Sequence, residues 1–92
     1  MEELLKRLTE TPGPSGQEQQ VRDAIAKEIL PFCQELREDP LGNLLARIGT
    51  KQDYRVGILA HMDEVGLIVS QISDRGLISF EVGGMLDVRM LP

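Results

Sequence analysis

The 92-residue chain has no tryptophan, one tyrosine, two phenylalanines and a single cysteine. With so few aromatic rings it has no platform on which nucleic-acid bases could stack. One cysteine, Cys33, cannot form an internal disulfide, which points to a reducing compartment. Positive charge is also scarce: 10 basic against 15 acidic residues leave a net charge of −5. Such a surface repels phosphate backbones, so nucleic acid is excluded as a partner. No apolar run approaches the length of a membrane span, and the opening residues, MEELLKRL, are charged and amphipathic, unlike a secretory leader. These absences predict a cytoplasmic protein without membrane contact. What is present is a hydrophobic fraction of 41%, normal for a folded chain, and a length that suits one small domain at most. Its core must be built from Leu, Ile, Val and Met, which is thin for this length.

Patterning along the chain divides it. Met1, Leu4, Leu5 and Leu8 fall at helical spacing and predict a short amphipathic helix, ended by Thr11-Pro12-Gly13-Pro14. Charges at Glu2, Glu3, Lys6 and Arg7 predict a solvated face with pairing four residues apart. Ser15 followed by Glu18 reads as a capping box, opening a helix with Val21, Ala24, Ile25 and Ile29 on one face and fading near Leu30-Pro31. Gln34 to Glu38 and Leu44 to Ile48 read as paired strands around the turn residues Asp39-Pro40-Leu41-Gly42-Asn43. Val56-Gly57-Ile58-Leu59-Ala60 has no polar side chain, the pattern of a strand buried on both faces. After Gly66, Leu67 to Ile72 and Leu77 to Val82 form a hairpin pattern around Ser73-Asp74-Arg75-Gly76. Gly83-Gly84 then allows a bend or bulge. The order predicts an α/β layer handing over near Gly66 to a mainly β unit, with boundaries at 1–66 and 67–92. Too few strands follow Gly66 to close a sheet, so the sequence reads as truncated.

His61, Met62 and Asp63 follow the apolar run, and ligands of open α/β sheets bind at the carboxyl ends of strands. In extended backbone, residues i and i+2 face the same way, so Asp63 can approach the imidazole of His61. A metal-ligating histidine needs an acceptor on its other ring nitrogen, and a carboxylate serves. The spacing therefore suits His61 as a metal ligand and Asp63 as its orienting partner. The triplet alone does not make a site, because zinc needs three or four ligands. Cys33, beside Phe32 at a helix end, reads as a small packing residue.

A wider pattern surrounds the triplet: Pro14-Ser15-Gly16-x-Glu18 with Val21-Arg22, then Asp39-x-Leu41-Gly42-Asn43, then Ala60-His61-Met62-Asp63-Glu64-Val65-Gly66. With the Ile72 to Gly76 hairpin and Gly83-Gly84, it resembles the start of the M42 family of metallopeptidases. These are glutamyl or deblocking aminopeptidases, some of which have been labelled endoglucanases. The resemblance implies a mixed or parallel-sheet zinc-peptidase-like domain whose N-terminal part is here, followed by the first strands of an inserted β-rich dimerisation domain. It implies that His61 ligates one of two divalent metal ions, zinc or cobalt, and that Asp63 serves catalysis by orienting His61. The remaining ligands and the general base of that family come from positions later than Pro92. It also implies peptide substrates with a free N-terminus, metal-assisted hydrolysis and homo-oligomers from dimers to dodecamers.

Glu64 does not match the family's general base and reads as a loop anchor facing away from His61. Pro12 to Gly16 lacks the lysine of a phosphate loop and follows a helix, so it reads as a plain loop. Two other functions compete. A non-catalytic truncated paralogue or fragment would keep only an assembly surface. A glycoside hydrolase would need two carboxylates flanking a sugar bond, and no such pair is placed here.

Overall fold

The computed structural model describes residues 1–51, 53–87 and 89. Two helices precede two hairpins: α1 (Glu2–Glu10), α2 (Gln19–Ile29), a short 3₁₀ turn (Leu30–Phe32), β1 (Glu35–Glu38), β2 (Leu44–Arg47), β3 (Gly66–Ile72) and β4 (Ile78–Gly83). The chain is thus a small α/β assembly with two separate two-stranded antiparallel sheets.

In α1, Glu2 and Glu3 in the first turn and Arg7 in the last suit the helix dipole. The Thr11 N–H and hydroxyl both donate to the Arg7 carbonyl, at 3.1 and 2.7 Å, closing the last turn before Pro12. The expected pairing within α1 is not what forms: Arg7 instead bridges to Glu28 on α2 and ties the two helices together. A cross-helix partner held by packing outcompetes a partner on the same solvated face.

The capping box at Ser15 is also corrected. Helix α2 begins at Gln19 with Glu18 at its N-cap. The Glu18 carboxylate accepts the Gly16 N–H at 2.6 Å, and with the turn at Gly16, φ 84°, the N-cap falls at Glu18, three residues after Ser15. Within α2, Val21 is the one buried apolar side chain among the described residues, at 6% exposure.

Hairpin β1–β2 pairs Glu35 with Arg47 and Glu38 with Leu44. Asp39 organises its turn: one carboxylate oxygen accepts the N–H groups of Leu41 and Asn43, and the other the Asn43 side-chain amide, all at 2.9 Å. Gly42 supplies the left-handed residue, at φ 84°. Hairpin β3–β4 carries an irregularity between Val69 and Gln71. Its turn closes through Ser73 N–H to the Leu77 carbonyl and Leu77 N–H to the Ser73 hydroxyl.

The buried strand predicted at Val56 to Ala60 does not form. These residues have no sheet partner, and Val56, Ile58 and Leu59 are 71%, 94% and 92% exposed. A doubly buried strand needs neighbours on its edges and cover on both faces, and the two short hairpins supply neither. No described helix is long and apolar enough to cross a membrane.

Candidate metal-binding corner

The chain turns at residues 61–66 between the unpaired apolar run and β3. There the His61 Nδ1 lies 3.2 Å from the Asp63 carboxylate and 2.9 Å from the Asp63 main-chain carbonyl. Both neighbours are acceptors, so Nδ1 is the nitrogen placed to donate and Nε2 the nitrogen that faces away from them. The His61 side chain is 86% exposed and that of Asp63 41%. A neutral imidazole with one nitrogen tied to a carboxylate and the other open is the state in which histidine ligates a divalent metal. The corner borders a groove of about 660 Å³, lined in part by Ile25, Ile29, Leu44, Ile58 and Met62.

Other donors do not converge here. No group of three or more His, Cys, Asp or Glu side chains able to hold a metal ion occurs among the described residues. The Cys33 thiol contacts the Leu30 carbonyl at 3.6 Å, at the end of α2. Glu64 is turned to the first loop: its carboxylate accepts the Gly13 N–H at 3.0 Å, and its own N–H donates to the Gly13 carbonyl at 2.9 Å. The main chains of Pro14 and Glu64 also form an isolated parallel bridge. The amide of Gly16, which an anion-binding loop would need, is occupied by Glu18.

One organising residue escaped the sequence reading. Arg22 is buried on α2, where Nη1 donates to the Gly42 carbonyl at 2.7 Å and Nη2 pairs with Glu38 at 3.2 Å. It fastens the β1–β2 turn to the helix. Its signal was available: Arg22, Ile25 and Ile29 share one helical stripe, and a charge inside an apolar stripe needs a buried partner.

Residues 42–92, more than half of the chain and including the whole corner, match the model of the M42 glutamyl aminopeptidase family. The chain belongs to the M42 family. Residues 1–23 match a second model, described as AMPT. Over 86 residues the chain is 35% identical to the lysyl aminopeptidase of Pyrococcus furiosus, covering 91% of this chain and 25% of that protein. It is 44% identical to an endoglucanase of Thermotoga maritima, whose crystal structure it matches with a TM-score of 0.84 over 96% of this chain and 29% of that one. Against the dodecameric PhTET1-12s the values are 40% identity and a TM-score of 0.85, over 99% of this chain and 27% of that one. The chain thus spans about a quarter of the length of the curated aminopeptidase relatives it matches.

Proposed function

We propose that this chain is the N-terminal portion of a metal-dependent aminopeptidase with a binuclear centre, and that His61 provides one metal ligand of that centre. The observation that carries the reading is the His61–Asp63 pair: Nδ1 lies 3.2 Å from the carboxylate, which leaves Nε2 as the nitrogen that would meet a metal. Asp63 fixes the tautomer and ring direction and raises the basicity of Nε2. In this reading the imidazole stays neutral, and its proton remains on the nitrogen facing Asp63. Two divalent cations, zinc or cobalt, would supply Lewis-acid polarisation of the scissile carbonyl and acidify water for the attack. Residues 1–66 would belong to the catalytic α/β domain with its mixed sheet, and residues 67–92 to the start of a β-rich dimerisation domain. The complete protein would act in the cytoplasm on peptides with a free N-terminus, as a homo-oligomer. With one ligand among its described residues, the chain by itself would be inactive.

The test uses the complete protein with aminoacyl chromogenic substrates and with cellulose, with and without a chelator. We expect release of the N-terminal residue, loss of that activity on chelation, its return with zinc or cobalt, and no cellulose hydrolysis. Replacing His61 by Ala should lower kcat by at least about a hundredfold. Aminopeptidase activity that survives chelation would overturn the metal assignment. A complete absence of peptidase activity would favour the assembly-module reading.

A further inference from the structure

Very little fastens the corner to the rest of the chain. Among the described residues, the links between residues 56–87 and residues 1–51 gather at Glu64: two hydrogen bonds join it to Gly13, and its main chain forms an isolated parallel bridge with Pro14. The main-chain bond, from Glu64 N–H to the Gly13 carbonyl, is open to any residue except proline. The second bond needs the Glu64 side chain, which reaches back to take the Gly13 N–H at 3.0 Å. Upstream, residues 53–60 have no sheet partner, and downstream β3 pairs with β4 alone. Neither flank, therefore, dictates how the backbone of 61–63 is directed.

The contact is close as well as polar. A Cβ on Gly13 would stand 2.8 Å from Val21 Cγ1 and 3.3 Å from the Met62 carbonyl oxygen. Gly13 is thus wedged between the buried residue of α2 and the middle residue of the His61-Met62-Asp63 triplet. His61 itself extends into solvent and is aligned through Asp63 alone, so its direction is inherited from the backbone that Glu64 pins. A general-base role for Glu64 does not suit this geometry, because the carboxylate is committed to a part-buried amide in the direction of α2.

We propose that Glu64 is a positioning residue: by accepting the Gly13 N–H, its carboxylate sets the backbone from which His61 and Asp63 present the imidazole to a divalent metal ion. The proposal rests on the metal reading of His61 given above. What matters is the acceptor oxygen, not the charge. Glutamine keeps that oxygen at the same reach, alanine removes it, and aspartate withdraws it by one methylene.

The experiment measures zinc affinity by competition with a chromogenic chelator, in the complete protein and its His61→Ala, Glu64→Ala and Glu64→Gln variants. Thermal unfolding of each metal-free form is followed in parallel. His61→Ala should lose one zinc equivalent. Glu64→Ala should keep both equivalents but bind the His61-dependent ion about 10–100-fold more weakly, with Glu64→Gln within about threefold of the parent. Unchanged zinc affinity in Glu64→Ala, even with a lowered unfolding temperature, would make Glu64 merely structural and overturn the proposal. An equal loss in Glu64→Gln would overturn it too, by making charge the cause. If His61→Ala leaves zinc binding intact, the metal reading itself falls, which separates the two failures. Should Glu64→Ala not fold, Glu64→Asp is read in its place against the same outcomes.

Discussion

Arg22 shows how one side chain can set the relation between two elements. Its guanidinium joins the carbonyl of Gly42 to the carboxylate of Glu38 from a buried position on α2. Truncation to alanine would leave the Gly42 carbonyl short of its partner and open a gap beside the helix. Unfolding by denaturant should show a loss of about 1–3 kcal/mol for Arg22→Ala, with Arg22→Lys recovering only part of it. Gly42 is the reciprocal position. At φ 84°, and with an added Cβ 2.7 Å from Arg22 Nη1, Gly42→Ala adds left-handed strain of about 1–2 kcal/mol to a clash. A loss indistinguishable from zero in both variants would show that this clamp is idle. At this scale the nearness of Asp63 to His61, and the opposite turn of Glu64, could be read in the sequence because that relation is local. The stripe on α2 signals that Arg22 needs a buried partner but does not say which, since Glu38 and Gly42 lie 16 and 20 residues further along the chain.

Among elements, the two predicted hairpins form and the predicted apolar strand does not, and the difference is physical. A hairpin is specified by its turn: Asp39 and Gly42 close the first through contacts within five residues, and Ser73 and Gly76 close the second. The run Val56 to Ala60 has the composition of a central strand, but a strand exists only with partners, and none of the described segments pairs with it. The capping of α2 differed for a related reason: Ser15 was the expected cap and Glu18 its partner, and the turn at Gly16 moves the N-cap to Glu18.

The Asp39 turn carries a pH signature. Hydrogen bonds from the Asn43 side chain and main chain, aided by the Leu41 N–H and the positive charge of Arg37, hold its carboxyl below the ordinary value of 3.8. A group whose pKa is depressed on folding stabilises the fold fully above its unfolded value. That stabilisation is lost as pH falls through the folded value. The Leu41 and Asn43 amides should therefore keep their chemical shifts from neutral pH to about 4 and move together only in more acidic solution. Asp39→Asn should remove this acid transition; a transition that persists unchanged in the variant would assign it to another carboxylate.

Taken whole, the molecule has far more surface than its mass warrants. Its accessible area is 8350 Å², whereas a compact monomer of 10.2 kDa would expose about 5300 Å². Its radius of gyration is 17.6 Å, against about 12 Å for a compact domain of this length. The surplus, roughly 3000 Å², exceeds the total area buried in a standard protein–protein interface. Much of it is aliphatic: Ile58 and Leu59 on the unpaired run, and Ile68, Val69 and Ile72 on β3. Yet the backbone superposes on two crystal structures of roughly three and a half times this length with TM-scores of 0.84 and 0.85. The conformation therefore matches a part of those longer chains. This sets up a comparison of the 92-residue chain alone with the same residues inside the complete protein. Alone, the amides of Ile58, Leu59 and Ala60 should exchange hydrogen at nearly the unstructured rate. In the complete protein, where the run would gain sheet neighbours, exchange should slow by about a hundredfold or more. Equal protection in the two settings would mean that the run needs no further cover, and the reading of its exposure as an unfilled sheet position would fail.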